Sequence, residues 1–388
     1  MLNYILRRIL LMIPTIFGIM LVSFAIVQFA PGGPIDRIIA QMNNPDAGSS
    51  DRVSGGGGDL AGQAQIGGEA GSVQYRGAQG LPPDFIKSLE KQFGFDRPAH
   101  ERFFLMLWNY MRFDFGESYF RDVAVVDLIL EKMPVSITLG LWVTLLSYLI
   151  SIPLGIKKAI SDGSRFDLWT SSVVIVGYAI PGFLFAILLI VLFAGGSFWQ
   201  IFPLRGLGAA SWQELPAFLQ AAYPAAEFQN QQPWSFLPWY WIVLDYLWHI
   251  TLPLIAMSLS AFATLTLLTK NSFLDEIRKQ YVMTARMKGL SPNQVLYRHV
   301  FRNAMLIIIA GFPGAFIGAF FGGALLIETI FSLDGLGRLS FDAITGRDYP
   351  VVFGTLFIFS LIGLAVNLIS DLTYTWVDPR IDFEKREA

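Results

Sequence analysis

Apolar residues along this chain gather into six runs of roughly twenty residues, at about 9–29, 137–156, 168–194, 250–269, 304–331 and 351–376. About 20 consecutive apolar residues, wound as a helix, cross the roughly 30 Å of hydrocarbon in a bilayer. Only helices and closed barrels satisfy every backbone polar group in lipid. The pattern therefore predicts an all-α polytopic membrane protein with about six transmembrane helices. Pro153, Pro181, Pro253 and Pro313 each fall within or at the end of a different run, so a kink is predicted at each. Arg7 and Arg8 precede the first run, which is too long for a signal-peptide core. No small-x-small cleavage site follows at Phe29-Ala30-Pro31-Gly32, so this run is expected to stay as an anchor.

Composition agrees with a lipid environment. Charged residues make up 15% of the 388, against about 25% in soluble domains. The 33 Phe and 10 Trp suit lipid-facing surfaces and interfacial belts. A net charge of −2 offers no basic balance for nucleic acid, and the absence of Cys excludes disulfides, thiolate metal sites and Cys nucleophiles. With the N-terminus inside, the short inner segments carry fifteen Lys and Arg, against three (Arg205, Arg338, Arg347) in the two shorter outer loops. Both termini are then cytoplasmic by the positive-inside rule, which long loops such as the first do not obey.

Four segments follow from this layout: an N-terminal transmembrane helix (1–30), an external region (31–132), a membrane core of five helices (133–378) and a cytoplasmic tail (379–388). Within the external region, 46–80 is rich in Gly, Ser, Ala and Gln and reads as a flexible insertion. Its Gly56-Gly57-Gly58-Asp59-Leu60-Ala61 matches the spacing of a dinucleotide fingerprint, but no strand precedes it, so a linker is the better reading. From Pro82 onward, helical spacing of apolar residues suggests a small folded cap. The second external loop holds Trp199, Trp212, Trp234, Trp239, Trp241 and Trp248, which suits interfacial anchoring or contact with a partner or substrate.

Catalytic templates fail. The chain has no phosphate-binding loop and hence no intrinsic ATPase, no H-E-x-x-H and no G-x-S-x-G; His100, His249 and His299 fall in separate loops. No catalytic residue, metal ligand or cofactor is expected. Glu328 and Asp371 lie near predicted helix ends, where snorkelling or water would solvate them, and the deeper polar groups are mild: Thr144, Ser147, Thr266 and Asn367. Coupling to an ion gradient usually needs an acid or a His inside the membrane, so it is disfavoured. Ala310, Gly314, Gly318 and Gly322 repeat every four residues along the fifth run, a stripe suited to close helix packing, to a pore wall, or to both.

The cytoplasmic loop 270–303 carries the most information. Val282, Ala285, Arg286 and Gly289 share a helical face; Gly289 suits a helix-terminating C′ position, and Ser291-Pro292 an N-cap with proline at N1. Thr284, Ala285 and Gly289 would present a nearly bare ridge rimmed by Arg278, Arg286 and Lys288. On these features alone, an ordinary basic loop remains an alternative.

The run "TARMKG" resembles the EAA loop of ABC importer permeases, in the form found in the dipeptide/oligopeptide/nickel branch. Four further stretches resemble the same branch in order: "LRRILLMIPTIFGIMLVSFAIVQFAPGGP", the cap motifs "FGFDRP" and "RFDFGES", "GGALLIETIFSLDGLGRL", and "RDYP" with "DLTYTWVDPRIDF". The resemblance covers nearly the whole chain outside the Gly-rich insertion. It departs at Asp334, where proline is usual, at Met283, which replaces the EAA glutamate, and at His299-Val300-Phe301-Arg302, which replaces I-x-L-P.

The resemblance implies a type I ABC importer transmembrane domain with a small external cap, working by alternating access in the bacterial inner membrane. It further implies a second homologous permease subunit, separate ABC ATPase subunits, a periplasmic substrate-binding protein, and a peptide or peptide-like cargo. Tyr281, Thr284, Ala285, Arg286, Lys288 and Gly289 would form the ATPase-coupling segment. The rival class is a secondary transporter or channel without ATP coupling.

Because the chain has no native Cys, single cysteines can be placed at will. Gly57→Cys and Glu227→Cys should react with an impermeant thiol reagent from outside, and Lys288→Cys only from the cytoplasm. Labelling of Lys288→Cys solely from outside would invert this topology.

Overall fold

The computed structural model of the chain describes residues 2–29, 33–43, 83–92, 94–196, 198–321 and 324–377. The flexible insertion expected at 46–80, Gly322 and the tail at 379–388 lie outside the described residues. Among those described, helices dominate, and β pairing is limited to an isolated bridge between Glu117 and Ala124. The chain divides into two compact units, Leu11–Ile129 with Ser340–Ser360, and Met1–Leu10 with Leu130–Leu339 and Leu361–Ala388.

In chain order the helices are α1 (Leu2–Phe29), α2 (Pro34–Asn43), α3 (Pro83–Gln92), α4 (Ala99–Tyr110), α5 (Val125–Ile160), α6 (Arg165–Ala179) and α7 (Gly182–Phe193). Three single turns, α8 (Ala217–Ala222), α9 (Ala225–Phe228) and α10 (Pro233–Phe236), precede the long α11 (Trp239–Ile277). Then come α12 (Gln280–Met287), α13 (Pro292–Val295), a π-helical turn at Leu296–Val300, α14 (Phe301–Ala310) and α15 (Phe312–Phe321). The last three are α16 (Ala324–Ile330), α17 (Leu336–Gly346) and α18 (Tyr349–Val377).

Among the described residues, five stretches are long and apolar enough to cross a membrane: Tyr4–Phe29, Val125–Ile160, Trp239–Ile277, Pro292–Gly318 and Tyr349–Trp376. The third run is the pair α6–α7, and the kink expected at Pro181 is a 95° corner at Ile180 and Pro181; the pair makes a sixth span only if both arms act together. Proline removes one backbone donor and clashes with the preceding turn, so a helix can break there when tertiary packing holds the corner. Neither Pro153 nor Pro253 ends its helix, while Pro313 opens α15 just after the interruption at Gly311.

In the smaller unit, Ile35 and Ile39 of α2 pack with Leu89 of α3. The Asp348 carboxylate accepts from the Ser118 hydroxyl and the Tyr119 amide, and the Arg37 guanidinium lies 4.3 Å over the Phe120 ring. Burial, reinforced by the Asp348 carboxylate, pushes the Tyr119 phenol up to about 12.

Two apolar cores of the larger unit tie its long helices together. One joins Leu139 and Val143 of α5 to Leu189 of α7, Ile250 and Leu254 of α11, and Ile327 and Phe331 around α16. The other joins Ile156 of α5 and Phe273 of α11 to Val282, Ala285, Val295, Val300, Ala304 and Ile308. The tryptophans of the external loop split in role. Trp212, whose indole donates to the Tyr223 carbonyl at 2.7 Å, and Trp241 join a local core with Leu215, Leu219 and Leu237, and Trp248 packs on Phe202; Trp199, Trp234 and Trp239 are exposed.

Three expectations about polar groups need correction. His249 sits in α11 rather than in a loop, buried, with Nδ1 donating to the Asp245 carbonyl at 2.8 Å. Asp371 is held by the Tyr4 hydroxyl at 2.9 Å and the Arg8 guanidinium at 2.6 Å rather than by water alone.

Glu328 is the third: it is wholly buried and does not snorkel. Its carboxylate accepts the Ser136 hydroxyl and the Arg338 amide, each at 2.8 Å, and Ser136 Oγ in turn accepts the Leu336 amide at 2.9 Å. Glu328 and Ser136 thus satisfy orphan donors at the start of α17. Gly335 has no Cβ because one would fall on the Glu328 carboxylate. Removing the acceptor strands buried donors, so Glu328→Ala should destabilise the detergent-purified protein by about 3 kcal/mol, and Glu328→Gln by less. A melting temperature for Glu328→Ala equal to that of the wild type would show that this latch does not hold the turn.

Candidate functional site

The segment after α11 is built for rigidity. Tyr281 donates to Glu276 at 2.7 Å and Lys279 bonds the other Glu276 oxygen at 2.5 Å, so one carboxylate staples the start of α12 to the end of α11. Burial, with Glu276 adding to it, raises the pKa of the Tyr281 hydroxyl, which keeps it a donor. At the other end, Leu290 N–H reaches the Ala285 carbonyl and Gly289 N–H the Arg286 carbonyl, the paired bonds of a Schellman motif. Gly289 has φ +79°, a conformation that side chains with a Cβ resist. Ser291 and Gln294 then form a reciprocal capping box with Pro292 at N1, as the sequence suggests.

The expected ridge is split: Thr284 and Gly289 are exposed, while Ala285 is buried with Val282 against Phe273 and Val295 and anchors α12 to the helices. An apolar stripe on a short helix goes to whichever core is nearest, and here that core is its own chain. The outward face carries Met283 and Met287, 67% and 78% exposed and one turn apart, with Thr284, Arg286, Lys288 and Gly289 exposed around them. Paired exposed methionines make an adaptable contact surface.

A cavity of about 690 Å³ lies between α5, the α6–α7 corner, α11, α14–α15 and α16. Its wall is mainly apolar with scattered hydroxyls, among them Thr144, Ser147, Ser260 and Thr264, and it includes no formally charged side chain. The Ser147 hydroxyl is buried without a hydrogen-bond partner, while Thr144 bonds the Gly140 carbonyl and Tyr148 the Ile308 carbonyl. A mostly apolar wall with a few polar groups is how ligand-holding cavities are usually lined.

The small-residue stripe divides. Ala310 is buried, and its carbonyl accepts from the Ser370 hydroxyl at 3.1 Å. Gly314 and Gly318 have open space where a Cβ would stand, and Gly318 lines the cavity.

One cluster escapes a reading of the sequence. Lys158, Asp167 and Lys270 form a buried ionic network where α5, α6 and α11 meet near α12. Lys158 and Asp167 look like ordinary charges of a short loop, and their spacing gives no signal of burial.

A multi-pass helical membrane protein with a cavity among its helices is the class these features define. Residues 151–383 match the model of the binding-protein-dependent transport system inner membrane component family, and the chain belongs to that family. Over 99% of both chains it is 63% identical to the "Peptidoglycan transport system permease protein YejB" of Agrobacterium fabrum. Over 99% of both it is 56% identical to the "Inner membrane ABC transporter permease protein YejB" of Escherichia coli O157:H7. The "Dipeptide transport system permease protein DppB" of Escherichia coli K12 is 30% identical over 99% of this chain and 100% of that relative.

Proposed function

We propose that this chain is one permease subunit of an ATP-driven importer that carries peptides or peptide-like compounds across the inner membrane by alternating access. The observation that carries this reading is α12: a helix beyond the spans, stapled at its start by Glu276 and closed by the turn at Gly289, and fused by one apolar core to α5, α11 and α14, which also line the cavity or adjoin it. The chain has no phosphate loop, so ATP hydrolysis belongs to separate subunits that dock on the outward face of α12. Met283 and Met287 enter an ATPase groove, and Arg286 and Lys288 orient it. Tyr281, Ala285 and Gly289 hold the helix in shape from behind. A second homologous permease subunit covers the open stripe at Gly314 and Gly318, which suits close backbone approach in lipid. A periplasmic binding protein delivers cargo, and both termini lie in the cytoplasm. In this reading the transport core is 133–378, and the N-terminal helix and cap are peripheral.

The lining of the cavity disfavours the rival reading. An ion-coupled transporter needs an ionisable group where the coupling ion binds, and no formally charged side chain lines the space.

Met283→Asp with Met287→Asp changes only exposed positions, so stability should shift by no more than about 0.5 kcal/mol. ATPase copurification and ATP-dependent uptake should both be lost, since two carboxylates would be buried unpaired on docking. Ala285→Trp should instead loosen the loop itself, because overpacking a core costs about 1–3 kcal/mol. Full uptake by the double aspartate variant, with the ATPase still bound, would overturn the assignment of this face.

A further inference from the structure

Lys158 has no solvent exposure, yet its ammonium is fully engaged: 3.1 Å from the Asp167 carbonyl, 2.8 Å from Thr170 Oγ1, 2.7 Å from Ser171 Oγ and 3.1 Å from Asp167 Oδ1. Asp167, also buried, offers its other oxygen to Lys270 at 2.7 Å and to the Gly163 amide at 3.2 Å. Lys270 reaches on to Asp162 at 3.0 Å, and Asp162 to Arg278 at 3.6 Å, the residue that ends α11 just before α12. Charges therefore alternate in an unbroken line from the end of α5, through the start of α6, to the threshold of the coupling helix.

Burying such a network adds little net stability compared with apolar packing, because desolvation offsets the attraction. What it does supply is position: each ammonium and carboxylate is satisfied in one arrangement only, and losing a partner leaves a buried charge uncompensated. The elements it joins, α5, α6 and α11, are among those that line the cavity. The arm α6 leads to the 95° corner whose Tyr178 and Phe183 form one wall, and α11 supplies the facing wall through Ser260 and Thr264.

We propose that Asp167, gripped between Lys158 and Lys270, is a positioning residue that makes the α6–α7 corner move with α11 and α12. A displacement of α12 by the ATPase then shifts both cavity walls together rather than bending α11 away from α6. This inference rests on the importer reading above. Asp162 and Arg278, at the exposed rim, are the weaker outer link, since exposed ion pairs contribute little.

The test uses the assembled complex in proteoliposomes, with ATP hydrolysis and peptide uptake measured together. Asp167→Asn should leave assembly and basal hydrolysis intact, while peptide taken up per ATP falls about fivefold or more, the lower range of measured couplings between sites. Lys270→Arg, which keeps the charge, should retain most of the coupling. A spin-label pair at Arg165→Cys and Gln280→Cys, both exposed and outside the docking face, is possible because native Cys is absent and gives a readout that a purely structural role would not move. Its distance should stay fixed on ATP binding in the wild type and broaden in Asp167→Asn. If Asp167→Asn fails to insert, Asp162→Asn replaces it, with a smaller loss of coupling and a milder broadening expected. Wild-type coupling together with an unbroadened distance in the variant tested would overturn the linkage and leave the importer reading standing. A wild-type complex without ATP-dependent uptake would defeat that reading, and this inference with it.

Discussion

A helix outside the bilayer can move helices inside it only if the two are packed as one solid, and Phe273 is where that condition is met. It is wholly buried, four residues before α11 ends, and the side chains of α12, α13, the π-helical turn and α14 close around it. Interiors at this density transmit displacement instead of absorbing it. The caps serve the same end. The Glu276 staple and the Schellman turn at Gly289 stop α12 from fraying, and the Ser291 capping box holds the start of α13, so a push on the outer face of α12 is not lost in local unwinding. The ionic line through Asp167 extends the solid sideways to α6 by a different force, directional where the apolar core is not.

The space this solid surrounds has a chemical character suited to variable cargo. Among the described residues, the lining scatters hydroxyls on an apolar wall and carries no formally charged side chain, so it offers hydrogen bonding without a strong preference for either sign of charge. Among the described residues, nothing lies within 4 Å of a Cβ placed on Gly314 or Gly318, and Gly318 borders the cavity itself.

Much of this was legible in the residues, and the failures share a cause. Length of apolar run located the spans, because hydrocarbon thickness is a one-dimensional constraint. For the run at 168–194 the kink at Pro181 is legible but its size is not, since hydropathy is blind to a corner: Pro181 permits a break, and only neighbours decide whether it becomes a shallow kink or a 95° turn. The caps of α12 and α13 were readable because Gly289, Ser291 and Pro292 act locally. The side of α12 that faces inward was not, as periodicity finds an apolar face without saying what covers it. Ala285 is the residue on which that ambiguity fell. Buried charges were the largest omission. Lys158 and Asp167 are nine residues apart, Lys270 is more than a hundred further on, and each alone reads as a solvated loop charge.

The central claim is that ATP, acting through separate subunits on α12, drives peptide inward through this chain. Its most direct measurement is accumulation of a labelled peptide in vesicles that hold the whole complex, with every ion gradient collapsed by ionophores. The account predicts accumulation against a gradient that requires both ATP and the binding protein and is indifferent to the ionophores. Uptake that persists without ATP and disappears when the proton or sodium gradient is collapsed would contradict it.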